Sequence, residues 1–524
     1  MYNERGLNPI YQEKRNMQRR RAKKQKVLER AGSDSQNIKE LNFSKAVKSE
    51  RRRLRFMKIL MRAQMDHTKL FTPEEVYLGN LMGGNSGNWL YQFSLFRALM
   101  TDESVKIDTI DTKTSLGTDF FSSKYANHLN KNYDCFVLPL ANAFRNTFVD
   151  ELKELTGFVR ALKIPCIVPS IGIQALNGKD FTQTFQYRDE AKAFVSAVLE
   201  KSSMIGLRGE ETARFLTSLG FEREKHFTVV GCPSMYSNGR RLPEVKPLDF
   251  GKDSLLLLNS KVEHEKKKVA EMFEGFADEH ENYVYAPQRR AQIITSYYGT
   301  YFQPCDEDFV FKKRFYDPAK TVTFTSVPEW YGYMKKYVDL SVGTRIHGSV
   351  AAIMGGVPTF IVNLDQRVGE LASFHNIAHI PFNEIEKGAT IESLIKNVDF
   401  NCIHEGHAER FDRFVDFLEK NGLKTAYSEN RDVEKVYFDS VIENNNYNLA
   451  PRCFGECDSK EKVERTRKAA VYFAYEAADL KKEAVEAAKK NESLKKKLKK
   501  STSMSAKELF KKLIEVIFKK KKAK

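Results

Sequence analysis

The sequence lacks the long apolar runs and the cysteine spacing that characterise membrane-spanning and disulfide-rich proteins. No run approaches the roughly 18–20 apolar residues that cross a bilayer. Arg19, Arg20 and Arg21 fall where a secretory signal would have its apolar core. The seven cysteines are scattered, which suits a reducing compartment. These absences argue against a spanning or secreted protein and predict a cytoplasmic one.

A metal-ligand set is also missing from the sequence. Cys453 and Cys457 are the closest cysteine pair, and nothing nearby in the sequence completes a set of ligands. His404 and His407 lack a glutamate at the spacing of a helical metal motif. We therefore expect neither a metal nor another cofactor.

The net charge of +17 is concentrated at the two ends of the chain. Residues 1–65 carry 19 Lys and Arg against 6 Asp and Glu, and residues 489–524 carry 15 against 3. Subtracting these net charges of +13 and +12 from the total leaves −8 for residues 66–488. An acidic middle, with basic ends that lack interleaved aromatic residues, argues against nucleic acid as the partner.

Between the ends, apolar patterns of period two alternate with patterns of helical period. The predicted strands and helices of the first half include strands at 76–78, 133–138, 165–171 and 204–207, and helices at 148–161, 191–201 and 211–219. Such alternation predicts a mostly parallel sheet with helices on both faces.

The length of the chain and a linker signal predict two such α/β domains. Residues 233–247 are rich in proline and charge. We expect one Rossmann-like domain over residues 66–245, a second over 246–400, and returning helices over 401–450. Two Rossmann-like domains facing a cleft resemble the architecture of the glycosyltransferase B enzymes.

Both ends of the chain predict helical extensions. Residues 1–65 are basic, and an amphipathic helix is expected over about 43–65. The basic tail over 451–524 begins with a solvated helix, and residues 507–524 combine an apolar stripe with a lysine cluster. That combination is typical of a helix lying on an anionic membrane surface, here the inner face of the cell membrane. An ordinary docking helix on the protein body is the alternative.

The most informative motif is an arginine and a histidine two positions apart. Residues 337–342 predict a short buried strand, and Arg345 and His347 follow it, with a helix start expected at Ser349. Side chains at the carboxyl end of a parallel strand line the ligand crevice of an open α/β sheet. An arginine there can hold a phosphate or carboxylate through two hydrogen bonds. The histidine can exchange a proton near neutral pH. For an isolated motif, a structural Arg–His pair is the alternative.

Four segments together resemble the polysaccharide pyruvyl transferase family. They are the glycine loop at 83–88, the strand and turn at 169–175, the strand, arginine and helix at 205–212 closed by 231–234, and the block at 330–371 that contains Arg345 and His347. The resemblance covers roughly residues 75–385. This chain has Ile346 where many members have leucine, and Asn88 where a carboxylate is common.

The resemblance implies transfer of a pyruvyl group from phosphoenolpyruvate to a sugar diol. The product would be a pyruvate ketal on a cell-surface or capsular polysaccharide precursor, and a lipid-linked acceptor is expected. The resemblance also implies that Arg208 and Arg345 hold the donor from the two domains and that His347 is the general acid.

Further candidates for substrate binding surround these three residues. The loop residues offer free amides and polar side chains, whereas the two glutamines are candidates that fill turns equally well. The acidic and basic residues after the motif orient the site or form a buried ion-paired structure. These candidates are Asn85, Ser86, Gly87, Asn88, Gln92, Gln288, Gly348, Asp365, Arg367 and Glu370.

Two other functions are compatible with the pattern. A nucleotide-sugar glycosyltransferase of the same two-domain architecture also needs cations for a diphosphate, so Arg345 alone does not discriminate between the two enzymes. Such an enzyme would usually also hold a ribose with a glutamate on a helix of the second domain, and the sequence shows no convincing candidate. A binding protein that uses the basic ends is the third reading. A homo-oligomer is compatible with the sequence.

Overall fold

The structure is a computed structural model that describes residues 56–111, 121–174, 186–260, 267–299, 318–445, 447 and 450–502. The residues described from Met57 onward belong to one compact unit. Residues 1–55 of the predicted basic extension lie outside the described residues, and so does the predicted membrane-surface segment at 507–524.

In its described residues, the first lobe is built on eight parallel strands. They are β1 (Met57–Arg62), β2 (Val105–Ile110), β3 (Cys135–Val137), β4 (Leu140–Phe144), β5 (Cys166–Ile167), β6 (Ile171–Ile173), β7 (Ile205–Leu207) and β8 (Phe227–Val229). The strand order is β2-β1-β3-β5 in one sheet and β4-β6-β7-β8 in the other. The chain passes from β3 into β4 and from β5 into β6 through only two or three residues, so short connections join the two sheets.

Where the structure describes this lobe, five helices accompany these strands. They are α1 (Asn88–Leu99), α2 (Ser123–Asn132), α3 (Val149–Ala161), α4 (Arg188–Leu199) and α5 (Glu210–Ser218). Helix α1 is buried along almost its whole length, including Trp89 and Phe96. This burial fits a helix that lies between the lobes rather than on the surface.

The described part of the second lobe has one five-stranded sheet in which every pair of neighbouring strands is parallel. Its strands are β9 (Leu256–Asn259), β10 (Tyr283–Tyr285), β11 (Leu340–Gly343), β12 (Thr359–Asn363) and β13 (His379–Pro381), in the order β10-β9-β11-β12-β13. Its helices are α6 (Lys267–Glu279), α7 (Arg290–Tyr298), α8 (Val327–Tyr337), α9 (Ile346–Met354), α10 (Gln366–Phe374) and α11 (Ile391–Ile395). The predicted α/β fold with two Rossmann-like domains is therefore confirmed.

The chain then returns to the first lobe through α12 (His407–Lys420) and α13 (Tyr437–Glu443). The Asn421 side chain, just after α12, accepts hydrogen bonds from the Ser203 and Met204 amides at 2.9 and 3.2 Å. Asp439 in α13 forms a salt bridge of 2.7 Å with Arg97 in α1. These contacts tie the end of the second lobe to the first.

Helix α14 (Ser459–Thr502) follows and confirms the helix predicted at the start of the tail. Its first turns contact the body, since Arg465 donates to the Tyr297 carbonyl at 3.1 Å. In the described part of the chain, no helix combines the length and the apolar character that crossing a bilayer would require.

Two sequence predictions near the start of the first lobe are wrong. The amphipathic helix expected over about 43–65 is, in its described part, strand β1 at Met57–Arg62. The strand expected at 76–78 lies in a short π-helix, Glu74–Leu78. Strand β1 pairs on both sides, and Ile59, Leu60 and Met61 are all buried. A strand that is covered on both faces has a continuous apolar run, which periodicity alone does not distinguish from a buried helix.

Candidate active site

The two predicted arginines follow strands of different lobes. Arg208 comes directly after β7, and α5 begins two residues later at Glu210. Arg345 is the residue before α9, which begins three residues earlier than the helix start expected at Ser349. Each arginine thus stands between the carboxyl end of a parallel strand and the amino end of a helix, where backbone N–H groups and the helix dipole favour anions.

His347 lies in the first turn of α9 and is surrounded by positive charge. Burial, together with three nearby guanidinium groups, lowers the pKa of His347 to about 3. The three groups belong to Arg208, Arg345 and Arg367. At neutral pH the imidazole is therefore uncharged in the free protein, and the positive charge of this cleft is carried by arginines.

Arg208 of the first lobe is buried, with 5% of its surface exposed. Its Nη1 donates to Asn142 Oδ1 at 3.2 Å, and its Nη2 lies 3.9 Å from Cys232 Sγ. Its Nε has no hydrogen-bond partner among the described residues. A buried guanidinium with an unused N–H is suited to receiving an anionic ligand.

Cys232 joins the two lobes at this point. Its Sγ lies 3.7 Å from His347 Nε2 and 3.1 Å from Ser234 Oγ. Sequence reasoning missed Cys232 and Asn142 as members of the site. Cys232 follows β8 within the segment 231–234 that carries the resemblance, so its position after a strand was the available signal. Asn142 lies inside β4, and no local feature of the sequence distinguishes it.

The glycine loop of the first lobe contacts the second lobe beside His347. The Ser86 amide donates to the Gln288 carbonyl at 2.9 Å, and the Ser86 hydroxyl contacts the same oxygen at 3.4 Å. Asn85 forms an isolated antiparallel bridge with Arg289. A β-carbon on Gly87 would lie 2.8 Å from both Cβ and Nδ1 of His347. The structure thus brings the predicted loop and the predicted acid together.

The remaining loop residue and the two glutamines occupy different places. Asn88 is the first residue of α1, and its amide donates to the Asn85 carbonyl at 3.1 Å. The side chain of Gln92 donates to Gln64 at 2.8 Å within the first lobe.

Gln288 belongs to the second lobe, and its Nε2 lies over Gly348, within 2.5 Å of where a β-carbon would stand. This Nε2 is buried and has no partner among the described residues. Gln288 and Gly348 are therefore at the site, at the amino end of α9, whereas Gln92 packs against the interior of its own lobe.

Helix α10 contributes the last three candidates. Asp365 caps this helix by accepting the Val368 amide at 3.0 Å, and it also forms a salt bridge of 2.5 Å with Arg367. Burial alone would raise the pKa of Asp365, but the hydrogen bonds and the charge of Arg367 lower it below its ordinary value. Asp365 therefore carries a negative charge that orients Arg367.

Glu370 points across to the first lobe, where its Oε1 accepts the Glu211 amide at 2.7 Å. Burial raises the pKa of Glu370 to about 7, although the Thr212 amide and the charge of Arg208 act in the opposite direction. Glu370 thus changes its charge close to neutral pH, beside an arginine of the other lobe.

A family model decides the identity of the chain. The model of the polysaccharide pyruvyl transferases matches residues 100–366, slightly more than half of the 524 residues. The chain is a member of the polysaccharide pyruvyl transferase family. In this pyruvyl transferase family member, the residues matched by the family model include Arg208, Arg345 and His347. They do not include the glycine loop, Arg367 or Glu370. The predicted family is confirmed.

The solved structures described next are similar to the chain at low sequence identity. No curated protein matches the sequence. The UDP-GlcNAc 2-epimerase of Methanocaldococcus jannaschii, solved with UDP-GlcNAc and UDP, is 13% identical; the match covers 69% of this chain and 99% of that one, with a TM-score of 0.37. MurG of Acinetobacter baumannii is 12% identical over 70% of this chain and 99% of its own, with a TM-score of 0.29. An uncharacterized protein of Klebsiella pneumoniae is 11% identical over 68% of this chain and 99% of its own, with a TM-score of 0.30.

The geometry of the site allows anion binding together with proton transfer. Guanidinium groups of both lobes converge on one uncharged imidazole, and an anion among them would reduce the positive potential that holds the imidazole uncharged. Among the described residues, no group of three or more His, Cys, Asp or Glu side chains is arranged to hold a metal ion.

Proposed function

We propose that this member of the family transfers the pyruvyl group of phosphoenolpyruvate to two hydroxyl groups of a sugar. The observation that carries the proposal is the convergence of Arg208, Arg345 and Arg367 on His347. Phosphoenolpyruvate has a phosphate and a carboxylate on neighbouring atoms, and guanidinium groups are suited to both. The family membership supports the transfer of a pyruvyl group.

The donor is held from both lobes in this proposal. Arg208 contributes from the first lobe, and Arg345 and Arg367 contribute from the second. The unpartnered Gln288 Nε2 and the amino end of α9 favour an oxyanion next to Arg345. The amides and side chains of the loop at residues 85–88 lie at the same junction and are assigned to the donor phosphate or to acceptor hydroxyls.

His347 becomes an acid only when the donor is bound. In the free protein its pKa of about 3 leaves it unable to hold an extra proton at neutral pH. The negative charges of the donor offset the surrounding arginines, which raises the pKa of His347 and lets the imidazolium form. Binding of the correct anion therefore prepares the general acid.

The reaction then proceeds by proton transfer and two additions to the same carbon. The His347 imidazolium gives its proton to the methylene carbon of phosphoenolpyruvate, which leaves the adjacent carbon electron-deficient. A sugar hydroxyl forms a bond to that carbon and loses its proton to the His347 imidazole, which is uncharged after its own proton transfer. The second hydroxyl then bonds to the same carbon as the carbon–oxygen bond to phosphate breaks, and its proton passes to the departing phosphate. The products are a cyclic pyruvate ketal and inorganic phosphate.

The acceptor proposed here is a lipid-linked precursor of a cell-surface or capsular polysaccharide. The family supports a polysaccharide acceptor. The lysine-rich pattern of residues 507–524 favours an enzyme that works at an anionic membrane surface, where such a precursor would be presented.

The test is an assay of the purified full-length protein with phosphoenolpyruvate and a panel of synthetic lipid-linked oligosaccharides, read by product mass. The expected product carries one pyruvate ketal, and inorganic phosphate is released in equal amount. Parallel reactions replace phosphoenolpyruvate with nucleotide sugars. Glycosyl transfer without ketal formation would replace the proposal with a glycosyltransferase activity.

A further inference from the structure

Among the described residues, helix α10 of the second lobe is hydrogen-bonded to the first lobe at two points. Near its middle, Glu370 Oε1 accepts the amides of Glu211 and Thr212 at 2.7 and 3.4 Å, in the first turn of α5. At its carboxyl end, His375 Nε2 accepts the Cys232 amide at 2.9 Å. Burial and nearby positive charge lower the pKa of His375 far below its ordinary value, so this nitrogen remains an acceptor. Both bonds join residues more than 140 positions apart in the sequence.

Each of these two points adjoins a reacting group of the site. Glu370 meets the first lobe at Gly209, directly after Arg208, and a β-carbon on Gly209 would lie 2.4 Å from the carboxyl carbon of Glu370. Cys232 has its Sγ 3.7 Å from His347 Nε2 and 3.9 Å from Arg208 Nη2. Helix α10 therefore holds two backbone segments of the first lobe. One follows Arg208, and the other carries Cys232, the neighbour of His347.

We propose that Glu370 is a positioning residue that holds Arg208 of the first lobe at its working distance from His347 of the second. It acts through its hydrogen bonds to the amides of α5, and the bond from Cys232 to His375 supports the same contact. The inference rests on the proposed function, because it takes Arg208 and His347 as the groups that bind and protonate the donor. Glu370 itself does not touch the donor.

The chemistry of the contact requires an acceptor of a particular length. Free N–H groups at the amino end of a helix donate hydrogen bonds to a carboxylate or an amide oxygen. Glutamine keeps the acceptor and the length but removes the charge. Aspartate keeps the charge but is shorter by one methylene, so it does not reach the α5 amides without movement of α10. These two substitutions separate the effect of side-chain length from the effect of side-chain charge.

The experiment compares E370Q, E370D and E370A in the full-length protein, with S373A as the matched control. Ser373 lies on the same helix and is exposed. A misplacement on the scale of an ångström costs roughly 100-fold in rate. We therefore expect kcat to fall by about 10- to 100-fold in E370D and E370A. The KM for phosphoenolpyruvate should rise less than kcat falls, because Arg345 does not belong to α10 and keeps its place. E370Q should stay within about threefold of the wild type, since the hydrogen bonds persist.

A second readout needs no substrate. The charge of Arg208 helps to hold His347 uncharged, so the imidazole of the wild type should show no titration between about pH 5 and 8 when followed by NMR of histidine-labelled protein. If Arg208 moves away in E370D or E370A, the His347 midpoint should shift upward. It should not move in E370Q or S373A. A thermal melt of each variant verifies that the protein is folded.

Either of two results would overturn the inference. One is a wild-type kcat and an unmoved His347 midpoint in E370D and E370A. The other is a kcat in E370Q as low as in E370A, because the charge or proton of Glu370, rather than its reach, would then matter. If the wild type forms no ketal from phosphoenolpyruvate, the proposed function fails, and the His347 titration still decides whether Glu370 holds Arg208 in place.

Discussion

Gly87 of the first lobe lies against the imidazole of His347 in the second lobe. Gly87 has φ −58° and ψ −21°, a backbone conformation that any residue can adopt. Glycine is required here because His347 lies so close. A β-carbon on residue 87 would lie 2.8 Å from Cβ and Nδ1 of the histidine. A loop that looks like a generic glycine-rich turn in the sequence thus sets the space available to the candidate acid.

Substitution of Gly87 by alanine should impair catalysis more than folding. The new methyl group must displace His347, and a displacement approaching 1 Å is expected to lower kcat by about 100-fold. Gly157→Ala is the matched control, because Gly157 lies inside α3 and a β-carbon there would meet no atom within 4 Å. Alanine there should stabilise the protein by about 0.5–1 kcal/mol and leave kcat unchanged. Similar kcat values for the two variants would contradict the role of the close contact.

Removal of the Arg345 guanidinium should weaken donor binding and turnover together. The loss of a charge-assisted contact is worth about 1.5–3 kcal/mol, so Arg345→Ala should raise the dissociation constant for phosphoenolpyruvate by roughly 10- to 100-fold in calorimetry. Arg345→Lys should restore only part of the affinity, because an ammonium does not form the paired hydrogen bonds of a guanidinium. Unchanged binding in the alanine variant would remove Arg345 from the donor site.

Removal of the His347 imidazole should spare donor binding but not turnover. His347→Asn should bind phosphoenolpyruvate with near wild-type affinity and should lower kcat by roughly 100-fold or more, the usual scale for a positioned proton donor. Normal turnover would show that the proton comes from another group.

Donor binding should also raise the pKa of His347, which is about 3 in the free protein. The lowered pKa means that the contribution of His347 to stability is present above its ordinary pKa and is lost as pH falls. An anion among the arginines reverses part of this shift. NMR titration with phosphoenolpyruvate or a phosphonate analogue should therefore show His347 becoming protonated at a higher pH than in the free protein. An unmoved midpoint would contradict donor-dependent activation of the acid.

The pH dependence of the unfolding free energy should reveal the raised pKa of Glu370. Its pKa in the folded protein is raised to about 7 from an ordinary 4.5, so its contribution to stability is fully present below about pH 4.5 and is lost as pH rises through about 7. Glu370→Gln removes the titrating group. Relative to the wild type, this variant should gain about 2 kcal/mol of unfolding free energy between pH 5 and pH 8 in urea denaturation. An equal difference at both pH values would contradict the raised pKa.

Deletion of residues 501–524 tests whether the tail binds an anionic membrane surface. If these residues bind an anionic surface, the deletion should abolish sedimentation with anionic liposomes, and binding by the full-length protein should weaken as salt rises. The truncated protein should process a water-soluble acceptor at a near-normal rate and lose efficiency on a vesicle-embedded acceptor. Equal losses on both acceptors would make the tail a packing element of the catalytic body.

Several expectations from the sequence depend on signals that are local. The alternation of strands and helices predicted parallel α/β domains, and the structure has three parallel sheets in the part of the chain that it describes. The position of Arg345 and His347 directly after a buried strand predicted their place at the carboxyl edge of the second sheet, where the structure has them. Local apolar periodicity failed at β1, because a strand buried on both faces has no alternation to detect.

The sequence by itself determined the type and order of most elements and the residue types of the site, because periodicity, turn residues and short motifs act over a few positions. Only the tertiary structure decided which of these residues meet. Gly87 reaches His347, and Glu370 reaches the amino end of α5, across the junction of two lobes. Contacts between residues this far apart depend on how the lobes pack against each other. That packing is set by the combined burial of many side chains, so no single segment of the chain records it.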